Sequence, residues 1–258
     1  MKKGILIVFD LRKQYDGYLN YVIKIASEFS LPINLVHCYP KADYNRHFSF
    51  PNKSYGEGIL KLLKKALEPF QESIKAGSVN VKYLAYQGSE VEAVQALSAK
   101  YDFVTFETQI YKNTFTKFLN SKIAYLTIAS QCPLLVIPPK VQFNGLNSLW
   151  LIARRDNDLE KLKADLKLLK VDSDKITVHH YEEKKHTSNL WRRMSTVMGI
   201  TAGGKLDFDI EMLEKEHIDM LFLVGYNQNA FQVFLGTKLM KTIFSMGIPL
   251  MIHHEVEI

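Results

Sequence analysis

Short unbroken apolar runs and longer amphipathic stretches take turns along this chain. GILIVFD (4–10) is a continuous apolar run closed by Asp10. That is the pattern of a strand buried on both faces, with its C-terminal end at a loop. GYLNYVIKIASEFS (17–30) then places apolar side chains at 18, 19, 22, 23, 25, 26 and 29, which is helical spacing. PINLVHCY (32–39) predicts a second strand, opened by a proline that a strand's first position tolerates. Residues 40–57 are rich in Pro, Asn, Ser, Gly and Tyr and read as a long surface loop. GILKLLKKALEPFQESIK (58–75) is a helix, and VNVKYLAYQ (79–87) is a third strand ended by Gly88. SEVEAVQALSAK (89–100) is a helix whose Ser89 and Glu92 have capping-box spacing. YDFVTFE (101–107) is a fourth strand, a helix runs from about Thr116 to Ser130, and LLVIPP (134–139) is a fifth strand.

KVQFNGLN (140–147) reads as a linker, after which the rhythm restarts. SLWLIARR (148–155) is a strand, DLEKLKADLKLLK (158–170) a helix and KITVHHY (175–181) a strand. LDFDIEMLEKEHIDMLFLVG (206–225) is a helix running into a strand, and the third strand of this half is poorly defined. Parts of the second half repeat the first. Val36, His37 and Tyr39 recur as Val178, His179 and Tyr181 at an offset of 142. Asn120–Pro133 matches Gly236–Pro249 without a gap at an offset of 116. Two blocks in the same order with drifting offsets indicate a duplicated domain with internal loop losses. The expected domains are residues 1–141 and a shorter 146–258. Strict alternation of strand and helix implies right-handed crossovers and a parallel sheet in each.

The 258 residues are 47% hydrophobic and 23% charged, an ordinary globular composition of two modest domains. Asp10, Arg12 and Lys13 interrupt the first apolar run too soon for a signal peptide, and no cleavage site follows. No apolar stretch approaches the roughly 20 residues that span a bilayer. Two cysteines, Cys38 and Cys132, make no disulfide framework, so a cytoplasmic location is expected. The net charge of +6 is uneven: residues 1–145 hold 18 Lys and Arg against 11 Asp and Glu, and the remainder 15 against 16. The lysines are scattered, which suits a solvated surface better than a nucleic-acid footprint.

The order ILIVFD, helix, INLVHCY, a Gly after the third strand, DFVTF, a loop and SQCPLLVIPP resembles the universal stress protein family. The resemblance covers both halves. It implies an α/β fold of two tandem domains, each an open parallel five-stranded sheet in order 3-2-1-4-5 with helices on both faces. It also implies that the domains pair through their last strands, which would cover two edges. Some members bind ATP through G-x-x-G, nine residues, then G-S or G-T after the fourth strand. There glycines admit phosphate to backbone N–H groups and a helix N-terminus.

In the first half the corresponding positions are Glu107, Ile110, and Asn120 followed by Ser121. Only Ser121 fits, with Asp10 at the end of strand one. Glu107 brings a carboxylate to the phosphate side and Ile110 a β-branched side chain, so this site reads as degenerate. The second half keeps Gly225 after strand four and Gly236 with Thr237 at the last helix. Its loop is two residues short, and Arg154 replaces the aspartate. Arg154, Gly225, Gly236 and Thr237 are therefore candidates for an anion or an acidic ligand, set against glycines that only shape turns.

No catalytic residue and no metal site are assigned. His179 and His180 adjoin on a strand and point to opposite faces. No Walker A motif, G-x-S-x-G elbow or H-E-x-x-H occurs. The expectation is a non-enzymatic protein acting in the stress response as an interaction or small-ligand-binding module, without a cofactor. The alternatives are a nucleotide-binding regulator or weak ATPase using the second domain, and a carrier of an apolar or acidic metabolite. The expected partners are the other half of the chain, an unidentified protein or small ligand, and, as an open option, a further copy. Nucleic acid and membrane are not expected.

Overall fold

The computed structural model describes residues 3–11, 16–39, 52–107, 125–139, 141–153, 158–183, 204–206, 215–226, 243 and 245–254. The chain forms two compact units, Met1–Thr108 with Ala129–Phe143, and Gln109–Ile128 with Asn144–Ile258. The cut after Phe143 falls inside the predicted linker.

In the first unit, β1 (Ile5–Val8), β2 (Ile33–Tyr39), β3 (Val81–Gln87), β4 (Phe103–Glu107) and β5 (Leu134–Ile137) form a sheet in the order β3-β2-β1-β4-β5. Its neighbouring strands all run parallel. Helix α1 (Asp16–Phe29) links β1 to β2, α2 (Asn52–Ala66) and α3 (Gln71–Ala76) precede β3, and α4 (Glu90–Leu97) follows it. The long helix predicted for 58–75 starts earlier, at Asn52, inside the expected loop, and is broken at Glu68–Phe70. Pro69 causes the break, because it lacks the N–H that a continuous helix needs there. The capping box of α4 forms as expected: Glu92 N–H donates to Ser89 Oγ at 3.2 Å, and Ser89 N–H to Glu92 Oε2 at 2.6 Å.

The second unit holds β6 (Leu149–Ala153), α5 (Asp158–Leu168), β7 (Ile176–Glu183), β8 (Gly204–Leu206), β9 (Met220–Tyr226) and β10 (Leu250–His254). Its strand order is β8-β7-β6-β9-β10. The expectation of an all-parallel second sheet is corrected at β8, which runs antiparallel to the end of β7, from Tyr181↔Leu206 to Glu183↔Gly204. Among the described residues, the three of β8 lie beyond β7 and give it a short antiparallel edge.

The ladders also correct the repeat. In the first unit Ile5 pairs with Ile33, and in the second Leu149 pairs with Ile176. Counting from these feet, Val36 corresponds to His179, and His37 to His180, one residue away from the sequence match. A one-residue slip turns every side chain to the other face. The structural register agrees with burial, since Val36 and His179 are both buried. His179 stacks against buried Trp150, ring centroids 4.2 Å apart.

A feature not legible as a motif recurs in both units. Asp102, just ahead of β4, accepts the N–H groups of Lys3 and Gly4 at 2.8 and 2.7 Å on one oxygen. Its own N–H donates to the Gly4 carbonyl at 2.9 Å. Asp219, just ahead of β9, accepts the N–H groups of Asn147 and Ser148 at 2.8 and 3.0 Å and donates to the Ser148 carbonyl at 2.9 Å. Each aspartate clasps the foot of its unit's first strand to that of its fourth. Beside it, Val104 and Leu221 donate to the carbonyls of Pro133 and Pro249, both at 2.9 Å. Gly4 adopts φ +98°, and a side chain there would strike the Pro32 backbone.

Helix ends repeat as well. Ser30 and Lys170 take positive φ of 54° and 51°, and the next residue, Leu31 or Val171, donates back to Ala26 or Leu166 at 2.8 Å. Both following residues are buried. This is the left-handed cap that usually employs glycine. The linker is not loose: Phe143 is buried and meets Tyr21 and Phe29 edge-on, at 5.4 and 6.3 Å.

Asp219→Ala should lower the stability of the full chain by about 2 kcal/mol, the scale of charge-assisted hydrogen bonds. Lys170→Gly should raise it by roughly 0.5–1 kcal/mol by relieving left-handed strain. Urea unfolding followed by circular dichroism measures both. An Asp219→Ala chain as stable as wild type would show that the clasp is energetically idle.

Candidate functional site

In a sheet of order 3-2-1-4-5 the chain leaves β1 toward β2 on one side and later returns to β4 on the other. Ligands of such sheets bind beyond the C-terminal ends of the strands at this switch point. In the first unit that point lies above β1 and β4. Ile7 is level with Thr105, so counting on two residues sets Phe9 beside Glu107, with Asp10 one step beyond. Both carboxylate residues are largely buried, Asp10 at 6% and Glu107 at 8% exposure.

Three polar contacts build this corner. His37, on β2, brings Nδ1 to 2.9 Å from the Phe9 carbonyl and 3.4 Å from the Leu11 N–H. The shorter contact selects the tautomer in which Nδ1 carries the proton and donates to Phe9. In that tautomer Nδ1 does not accept the Leu11 N–H, and His37 holds Phe9, the residue before Asp10. Phe9 N–H also donates to the Val36 carbonyl at 2.9 Å, extending the β1–β2 ladder one residue past β1. Below Glu107, the Thr105 hydroxyl meets the Tyr18 hydroxyl at 2.7 Å, both fully buried, tying α1 to β4.

His37 thus positions the backbone ahead of Asp10. The Tyr18–Thr105 bond was missed. Its only trace in the sequence is a hydroxyl within an apolar strand and a tyrosine on the buried stripe of the next helix.

Glu107 brings a carboxylate where the ATP pattern has glycine, and a carboxylate repels a polyphosphate. The N-terminus of α4 is closed by its own capping box. His37 and Cys38 adjoin on a strand, so their side chains diverge and form no thiolate–imidazole pair. Among the described residues no group of three or more His, Cys, Asp or Glu could hold a metal ion. Burial pushes the hydroxyl pKa values of Tyr83 and Tyr101 upward, but neither stands at these strand ends.

In the second unit Gly225 does not end its strand, as the sequence suggested; β9 continues to Tyr226. His253 pairs with Val224 and His254 with Tyr226, so Gly225 is the extra residue of a bulge. A residue without Cβ suits that role. Arg154, Gly236 and Thr237, with Ile110, Asn120 and Ser121 of the first half, lie outside the described residues.

No family model and no curated protein matches the chain. Solved structures do. A universal stress protein from Archaeoglobus fulgidus DSM 4304 aligns over 99% of this chain and 98% of its own, with a TM-score of 0.57 at 14% identity. A putative universal stress protein from Pseudomonas aeruginosa UCBPP-PA14 aligns over 98% and 93%, with a TM-score of 0.53 at 12% identity. The cytoplasmic domain of a prokaryotic cation chloride cotransporter aligns over 98% and 95%, with a TM-score of 0.51 at 13% identity. The chain has the fold these proteins share.

Tyr18→Phe and Thr105→Val should each cost about 1–3 kcal/mol, because each strands a buried hydroxyl. The double variant should cost clearly less than their sum, since both partners are then apolar. Simple additivity in a double-mutant cycle would show that the bond contributes nothing of its own.

Proposed function

We infer, for a chain with the universal stress protein fold, that it works in the stress response by binding and not by catalysis, and that its first nucleotide site has degenerated. One observation carries this reading. Glu107, buried at the end of β4, puts a carboxylate residue at the switch point, where an ATP site needs close-approaching backbone N–H groups. A triphosphate there would meet the Glu107 carboxylate in place of a glycine, and like charges repel. The same corner accepts a neutral polar or cationic small ligand without that conflict.

The second half is the one in which an anion or an acidic ligand is expected, at Arg154, Gly225, Gly236 and Thr237. The bulge at Gly225 supports this only so far as it brings bare backbone to the C-terminal end of β9.

ATP with magnesium should bind the full chain no more tightly than about 10 micromolar, or roughly −7 kcal/mol. Titration calorimetry measures this, and Glu107→Gly should leave a weak wild-type signal unchanged or strengthen it. A tighter wild-type constant that Glu107→Gly does not alter would move the nucleotide to the second half. A tighter constant abolished by changing Asp10 to Ala would overturn the degenerate-site reading. Mass spectrometry of small molecules that co-purify with the native protein identifies what the corner holds instead.

A further inference from the structure

β3 stands at the end of the first sheet, with β2 on its inner side. The ladder to β2 fixes which backbone groups of β3 are left over. The Gly88 N–H donates to the Tyr39 carbonyl, and the Asn80 carbonyl accepts from the Ile33 N–H, both at 2.8 Å. Backbone direction repeats every second residue of a strand. Lys82, Leu84 and Tyr86 therefore also face β2, while Val81, Tyr83, Ala85 and Gln87 turn their N–H and C=O groups outward. No residue of β3 is buried, and Lys82 is exposed. A seven-residue edge of this kind is a ready template for another strand.

We propose that β3 pairs antiparallel with β3 of a second copy of this chain, about a twofold axis through Leu84. Leu84 is the centre of Val81–Gln87, so this axis uses the whole strand. Tyr83 then faces Ala85 of the second copy, and Val81 faces Gln87. These four residues are the ones whose backbone groups point outward, and the pairing forms about eight hydrogen bonds. Leu84 meets its own copy in the closer, non-hydrogen-bonded position.

A lysine on an edge strand ordinarily discourages pairing. Here the axis settles what Lys82 meets. It faces Tyr86 of the second copy, not another lysine, and an ammonium over a phenol ring is attractive. The strand already tolerates that contact on its other face, where Lys64 Nζ of α2 lies 5.9 Å from the Tyr83 ring centre. An axis through Lys82 itself would set two cations together. The pattern thus fits a copy of itself in one register.

Sedimentation equilibrium of the full chain tests this. Wild type should dimerise reversibly. Leu84→Lys and Leu84→Glu should each be at least about tenfold weaker, because like charges meet across the axis. Mixed in equal amounts, the two variants should dimerise again, since lysine then faces glutamate. Ala85→Pro removes an outward N–H and leaves the β2 ladder whole. It should abolish dimerisation with an unchanged circular dichroism spectrum, and it decides the matter should the Leu84 variants not fold. A wild type still monomeric at about 100 micromolar, roughly −5.5 kcal/mol, would overturn the proposal. So would a dimer that persists in all three variants, or a monomeric wild type whose β3 edge takes up an extended peptide of another protein.

Discussion

Nothing local sets the register between the first and fourth strands of a sheet like this one. They are neighbours in space, yet about a hundred residues of chain separate them, and every connection must travel back over a face of the sheet. The aspartate ahead of the fourth strand supplies what the chain's course cannot. Asp102 takes the two N–H groups at the foot of β1 on one oxygen and returns its own N–H to the same turn. With that end fixed, Phe9 comes level with Glu107 at the other end of the strands, about five residues on, with Asp10 one step beyond. Asp219 does the same in the second unit. The part of the duplication that has survived is the hydrogen bonding at the foot of the sheet.

The upper ends have diverged. The buried position of Val36, level with Val8, is taken by His179, level with Ile152. Beyond β2 the first unit has the parallel β3, and beyond β7, among the described residues, the second has the short antiparallel β8. Ligand chemistry on this fold is written into the strand ends, and the units differ most there. A frame held from below lets its rim change without loss of register.

The strands β1, β4, β5 and β6 were legible because they are buried along their whole length, and runs such as GILIVFD and LLVIPP have few other uses. The switch-point aspartate, Asp10, was legible for the same reason: it ends a run with no other polar residue. What escaped depended on partners distant in sequence. A single Asp before a strand looks like any turn residue until the N–H groups it accepts come into view, and Tyr18 looks like any helical aromatic until Thr105 lies opposite. The repeat was seen at the wrong register because identical letters, V-H, outweighed the alternation of faces that the ladders obey. Phe143 passed for linker because its sequence neighbours are polar and Gly-rich, while its packing partners are in α1.

The stacked pair of Trp150 and His179 gives the second unit something the first lacks. Both tryptophans of the chain, Trp150 and Trp191, fall after residue 145, so the sheet built from β1 to β5 contributes no indole emission. Trp150 lies at 1% exposure, its ring centroid 4.2 Å from that of the His179 imidazole. The chain thus carries its own optical label on one of two nearly matching halves. The emission of Trp150 reports the state of the β6–β7 ladder, while signals common to both sheets, such as backbone ellipticity, report the sum.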